Sequence, residues 1–210
     1  MQYSTFAAID IGSYDVILEI FEISKKQGIR SVDKICHRME LGKDTYTLGK
    51  IRPEMEEELC RVLADFVRIM EGYRVDDYRA TASSAISEAS NSLYVLGKIH
   101  QLTGLSVTVL SNSEQRFLSY KALAAMEDNF NKIIEKGTAI LDLDGGSFQI
   151  SLFDKDALVT TQNIRMGSLR IRERLAGIQS ETEHYEEMVE ELIWNEVSSF
   201  KKMISERPQN

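Results

Sequence analysis

The apolar run at residues 5–12 (TFAAIDIG) predicts a buried strand, 15–23 (DVILEIFEI) its hairpin partner, and 29–41 a third strand. The period then changes. Met55, Leu59, Val62, Leu63, Phe66, Val67 and Met70 recur at helical spacing behind Pro53, a residue tolerated in a helix's first turn, so a helix is expected over 53–72. A strand at YRATASS follows, then a helix over 85–102 closed by Gly104, a strand at 106–111 (SVTVLS) and a helix over 113–128. The order βββαβαβα predicts a mostly parallel sheet with antiparallel opening hairpins.

After Gly137 the pattern restarts. TAILDLD reads as a strand, SFQISLF alternates with Phe148, Ile150 and Leu152 on one face, and ALVTTQNIRM supplies a third strand. A short helix is expected after Gly167. Ser180 with Glu183 forms a capping box that opens a long helix, with Tyr185, Met188, Val189, Leu192, Ile193 and Val197 as its apolar face. The chain therefore divides into two α/β lobes, residues 1–130 and 131–210, the second reading βββαα with no further strand. A sheet ending there leaves an edge unpaired. The expectation is that this chain is the N-terminal part of a longer product, or that another chain, a second copy included, covers the edge.

At 210 residues, 43% apolar and 28% charged, the composition is that of a soluble globular protein. A net charge of −8 argues against a general nucleic-acid binder, yet not against a phosphate ligand, which backbone N–H groups and a cation can hold. No apolar run reaches the roughly 18 residues of a membrane span, and the opening MQYSTFAAIDIGS lacks the basic start and long apolar stretch expected of a signal peptide. Two cysteines make a disulfide framework unexpected and point to the cytoplasm. Cys36 beside His37 lacks a second pair at metal-ligand spacing. Arg165, Arg170, Arg172 and Arg174 read either as surface residues or as the lining of a polyanion channel.

Candidate chemistry sits in two acidic glycine turns. Asp10-Gly12-Ser13 and Asp142-Gly145-Gly146-Ser147 each follow an apolar strand. Glycine lets backbone N–H groups converge on an anion, serine adds a hydroxyl, and the preceding Asp can hold a hydrated cation or orient a water. One such turn is more often an ordinary hairpin. Two copies, each opening a similar lobe, predict a phosphorylated ligand gripped from both sides.

Four segments give the chain a wider resemblance. "FAAIDIGSYD" is similar to A-x-D-x-G-S-N-S, and "ATASSAISEASN" to A-T-S-A-x-R-E-A-x-N. "VLSNSEQRFLSYKAL" is similar to S-G-x-E-E-A-R-L, and "LDLDGGSFQI" with "RMGSLRIRE" to D-I-G-G-G-S-T-E and R-x-G. These are patterns of the exopolyphosphatase/guanosine pentaphosphate phosphatase (Ppx/GppA) family, within the actin, hexokinase and heat-shock-chaperone superfamily. The resemblance implies two ribonuclease-H-like (actin-like ATPase) lobes of βββαβα type, the second incomplete. It implies release of terminal phosphate from polyphosphate, or from a guanosine or adenosine polyphosphate such as pppGpp, with Mg²⁺. It places metal at Asp10 and Asp142, water orientation at Asp142, and phosphate at Gly12, Ser13, Gly145, Gly146, Ser147 and position 87.

The departures are as informative. The general-base glutamate of the pattern falls on Gln115, which has no proton affinity near neutral pH, and Glu114 stands one residue, or ~100° of helix, away. Ser87 stands at the phosphate-gripping Arg, Gln149 at a Glu, Tyr14-Asp15 at Asn-Ser, and Asp144 at the first of three glycines. Loss of a general base typically costs ~10²–10⁴-fold in rate. The sequence thus supports an exopolyphosphatase-like protein with a degraded catalytic site, or a non-catalytic polyphosphate- or nucleotide-binding regulatory module. A purely structural partner domain is a third reading.

Overall fold

In the computed structural model, which describes residues 3–126, 130–176 and 184–205, the opening apolar segments form β1 (Ser4–Ile11), β2 (Asp15–Ser24) and β3 (Gly28–Arg38). Alternation does what the pattern asks. Ala7, Ile9 and Ile11 of β1 and Val16, Leu18 and Ile20 of β2 are all buried, each larger side chain contributing roughly 1.5–3 kcal/mol. Helix α2 (Pro53–Gly72) has Pro53 in its first turn and lays Leu59, Leu63 and Phe66 into the same core. With α1 (Leu41–Leu48), β4 (Asp77–Ala82), α3 (Ser84–Ser87), α4 (Ser92–Thr103) and β5 (Val107–Val109), the sheet runs β3-β2-β1-β4-β5. Two of its pairings are parallel, β1 with β4 and β4 with β5, and two antiparallel, so the sheet is evenly mixed rather than mostly parallel.

The helix expected over 85–102 is interrupted. Asn91 accepts a hydrogen bond from the Ile51 N–H (3.0 Å), and its amide donates to Ile51 O and to Glu56 Oε1, both at 2.8 Å. The Ser90 N–H also donates to Gly49 O at 2.9 Å. These bonds to a distant loop draw residues 88–91 off the helical path, separating α3 from α4. Helix α1 escaped the sequence pattern because its eight residues include only two large aliphatics, Leu41 and Leu48. Buried Asp44 holds α1 to the following loop by accepting from the Arg52 backbone N–H (2.9 Å) and from its guanidinium.

Packing divides the chain into two units, Met1–Leu118 and Ser119–Asn210, the division falling inside α5 (Asn112–Met126). The second unit holds α6 (Phe130–Ile134), β6 (Thr138–Leu143), β7 (Phe148–Asp154), β8 (Ala157–Ile164), α7 (Ser168–Leu175) and α8 (Tyr185–Ser205). Its sheet is the antiparallel meander β6-β7-β8. Phe148, Ile150 and Leu152 share a face, as the alternation predicts, and pack with Ile164, Met166, Ile171 and the α8 residues Val189 and Val197. Along the edge strand β6, Leu141 and Leu143 are exposed. The capping box at Ser180 and Glu183 lies outside the described residues. Among the described residues, no helix is long and apolar enough to cross a membrane.

Replacing Asn91 removes three bonds and leaves the buried Glu56 carboxylate with Lys98 (3.3 Å) as its remaining side-chain donor. Asn91→Ala should destabilise the first unit by about 2–3 kcal/mol, measured as a lower urea midpoint with unchanged slope. An unchanged midpoint would show that these bonds do not hold the α3–α4 break in place.

Candidate functional site

Asp10 stands near the end of β1, opposite Thr81 of β4, and is exposed. The chain then turns. The Gly12 N–H donates to Asp15 O at 3.0 Å, and a Cβ at Gly12 would lie 2.9 Å from that oxygen, so the close approach needs glycine. Ser13 is buried, its Oγ 2.6 Å from Tyr46 Oη and 3.3 Å from Ser84 Oγ, with Tyr46 Oη and Ser84 Oγ 2.8 Å apart. Tyr46 comes from α1 and Ser84 from the start of α3. This hydroxyl group therefore gathers three separate segments at the C-terminal ends of the parallel strands β1 and β4, where open α/β sheets bind ligands. A hydroxyl donates or accepts by rotating its proton, so the cluster can adapt to an arriving anion. The Tyr14 ring is drawn to Arg38, whose guanidinium carbon lies 4.7 Å from the ring centroid.

Ser87 is exposed at the end of α3, its N–H donating to Ser83 O. Glu114 and Gln115 lie in the first turn of α5, where Ser111 and Glu114 make a capping box. Glu114 Oε2 accepts from the Ser111 N–H (2.9 Å) and from its hydroxyl (2.7 Å). These two bonds hold the Glu114 carboxyl below its ordinary range, the backbone bond first and the hydroxyl second. A carboxylate so stabilised is a weaker base. Gln115 is half-buried, and its backbone N–H donates to Ser111 O at 2.9 Å.

In the second unit, residues 144–147 connect β6 to β7. The Gly146 and Ser147 N–H groups both donate to Asp144 Oδ1 at 2.6 Å, and the Ser147 hydroxyl lies 3.4 Å from Asp144 Oδ2. The Asp144 N–H closes the hairpin on Ser147 O at 3.0 Å. The first turn of α7 packs onto the carbonyls: the Ser168 N–H donates to Asp144 O, those of Leu169 and Arg170 to Gly145 O, and Arg170 Nε to Gly146 O. Gly167, the N-cap of α7, makes this packing feasible. A Cβ there would lie 2.4 Å from Gly145 C, Gly146 N and Ser147 N.

One residue pair back from the turn, Asp142 accepts a bond from the Ser119 hydroxyl (2.9 Å) and is paired across the strands with Gln149, itself paired with Asn163. Buried Gln149 Oε1 and Asn163 Oδ1 have no hydrogen-bond partner among the described residues. Next along the same face, the Tyr120 hydroxyl donates to Ser151 Oγ.

Residues 19–208 match the Ppx/GppA phosphatase family. The chain belongs to that family. Exopolyphosphatase 1 of Mycobacterium leprae is 25% identical over 144 residues, 68% of this chain and 41% of that protein. The bifunctional 3-dehydroquinate synthase/phosphatase of Fusobacterium nucleatum is 22% identical over 174 residues, 80% of this chain and 26% of that protein. The crystal structure of the Aquifex aeolicus Ppx/GppA family member superposes with a TM-score of 0.70 at 23% identity, covering 95% of this chain and 63% of that one. This Ppx/GppA chain thus spans less than half the length of the two curated relatives. The expected α/β fold of the Ppx/GppA family is borne out.

Sequence reasoning brought Gly12 and Ser13 to one turn and Gly145, Gly146 and Ser147 to another. It missed Tyr46, Ser84 and Ser119, each of which reaches its partner across 23 to 71 residues of chain. Ser84 and Ser119 lie within the segments "ATASSAISEASN" and "VLSNSEQRFLSYKAL", but neither string shows the contact its serine makes. Gly167 lies in the "RMGSLRIRE" segment, but its job, packing backbone against backbone, has no periodic signature.

Gly167→Ala should destabilise the second unit by about 3 kcal/mol, because the obstructing atoms are backbone and cannot rotate away. A thermal melt with an unshifted transition would refute the close packing. For Glu114, folding holds the carboxyl low, so its cap bonds are intact above the ordinary glutamate range and are lost as pH falls through the lowered value. Ser111→Ala keeps the backbone N–H and removes the hydroxyl, so it should return that titration, followed by side-chain carboxyl NMR, part of the way toward the ordinary range; an unchanged titration would exclude the Ser111 hydroxyl as a contributor.

Proposed function

We propose that this chain is the phosphate-binding part of an exopolyphosphatase-like protein whose hydrolytic step is strongly weakened. The observation that carries the reading is the start of α5. Gln115 stands at the base position, and the neighbouring Glu114 carboxylate is committed to the helix cap. Neither side chain is suited to take a proton from an attacking water. Ser87, at the position of the anion-gripping Arg, offers a hydroxyl where a bidentate cation would stand.

The favoured ligand class is a chain of phosphoanhydrides, inorganic polyphosphate or a guanosine polyphosphate; the relatives named exopolyphosphatase support the first. In the first unit, Gly12 and Ser13, backed by Tyr46 and Ser84, are proposed to receive it, with Asp10 beside them to hold a cation. A magnesium ion fits the oxygen chemistry present. In the first unit Asp10 is the carboxylate proposed to hold it; in the second Asp142 is a separate candidate, with the unpartnered Gln149 Oε1 a further hard oxygen on its row. Among the described residues, no cluster of three or more His, Cys, Asp or Glu could hold a metal, so the ion would keep several waters and share the ligand's oxygens. When bound, it would neutralise phosphate charge. The protein groups position the ligand, and Asp142, held by the Ser119 hydroxyl, orients a water.

A second reading, a binding or regulatory module without turnover, is favoured by the Asp144 contacts, which engage the donors of the second turn with the chain's own carboxylate. Calorimetry with inorganic tripolyphosphate and with pppGpp, in Mg²⁺, should give saturable binding, and phosphate release should lie near background. Gln115→Glu combined with Ser87→Arg should raise release by ~10²–10⁴-fold if the weakened-enzyme reading holds. Binding without any gain in the double variant would favour the regulatory module, and absence of binding would overturn both.

A further inference from the structure

We infer that Asp144 is the second turn's own anion, a specificity-determining residue that closes this turn to phosphate. The inference rests on the reading of the turn as a phosphate-binding element and names what that element accepts as it stands. In a glycine turn that binds phosphate, converging N–H groups and a helix N-terminus supply donors to one oxyanion. Here the converging N–H groups are those of Gly146 and Ser147, and both meet Asp144 Oδ1 at 2.6 Å. The Ser147 hydroxyl faces the other carboxylate oxygen at 3.4 Å.

The helix contribution is redirected as well. The N–H groups of Ser168, Leu169 and Arg170, at the N-terminus of the eight-residue α7, donate to Asp144 O and Gly145 O at 3.0–3.1 Å. They face the turn's carbonyls rather than a ligand. Gly167, which a Cβ would drive to 2.4 Å from the turn's backbone, fixes helix and turn together. Asp144 thus meets the donors, and α7 meets the acceptors.

An incoming phosphate must displace a carboxylate that is covalently tethered two and three residues from its donors. Such a group competes at an effective concentration on the order of millimolar or above. Displacement also leaves a negative carboxylate beside a more highly charged anion, and like charges in close contact repel. The same turn with glycine at 144 has neither obstacle. On the proposed function, phosphate binding then falls to the first unit's turn, and position 144 is the switch for the second.

The test follows backbone amides of the full chain by NMR while inorganic tripolyphosphate is added at fixed Mg²⁺. In the wild type, the amides of Gly146 and Ser147 should stay still. In Asp144→Gly they should move saturably, with an apparent affinity at least ~10-fold tighter than any wild-type response at this turn. Asp144→Asn keeps the side-chain acceptor, removes the charge, and should give an intermediate response; it carries the test should the glycine variant fail to fold. Saturable movement of Gly146 and Ser147 in the wild type, or no response in a folded variant, would overturn the inference and leave Asp144 an ordinary turn residue. The amides of Gly12 and Ser13 report separately on the proposed function. Their silence in every variant would count against that reading while leaving the Asp144 result to stand on its own.

Discussion

A tight turn strips its backbone N–H groups of sheet or helix partners, and each must then find an acceptor. In the second unit the acceptor is the Asp144 side chain, and the rest of that unit is arranged around the result. Because Asp144 holds the donors inward, the turn's carbonyls face α7, and the first turn of that helix closes on them. The closure needs Gly167, where helix meets turn without room for a Cβ. From there Leu169, Ile171 and Leu175 are aimed at buried positions, with Ile171 and Leu175 joining the core of the meander. The polar bookkeeping of four residues thus fixes the direction of a helix.

The first unit solves the same problem with neutral groups. Its turn closes on a backbone carbonyl, Asp15 O, and the serine hydroxyl is held by Tyr46 and Ser84 rather than by a carboxylate. A set of hydroxyls has no charge to repel a phosphate and can reverse the direction of its hydrogen bonds. A carboxylate can only accept. The two turns look alike in sequence and differ in this respect, which is why the proposed ligand contact is assigned to the first.

How much of this was readable in advance depended on whether the information was local. The hairpins, α2 and the restart after Gly137 follow from periods of two and 3.6 that a few neighbouring residues display. The break between α3 and α4 was not readable, because Asn91 looks like any polar helix residue until Ile51 and Glu56 are placed beside it. Helix α1 has too few large apolar residues to show a period, and its place is set by Asp44 and Arg52. The candidate site divides the same way. Asp10, Gly12, Ser13 and the 145–147 turn were visible as strings, whereas Tyr46 and Ser84 reach Ser13 through contacts that no string contains. Asp144 was visible as an added charge, but the direction in which its carboxylate faces was not.

Gln149 and Asp144 are best understood together. Gln149 is 3% exposed and paired across the strands with Asp142. A glutamate there would bury a second carboxylate on that row, an arrangement that needs a cation or a proton to be tolerated. An amide removes the requirement at the cost of an unpartnered oxygen, a penalty of about 1–3 kcal/mol. Asp144 does the complementary thing a few residues away. It brings a carboxylate to N–H groups that would otherwise call for an external anion. On the proposed reading, Gln149 lessens the need for a bound cation and Asp144 the need for a bound phosphate, so the second unit meets the N–H groups of its turn from within. That pairing is what the proposed weakening of catalysis requires of a family member that keeps its fold, since a site whose stability no longer depends on ligands can lose the chemistry without losing the structure.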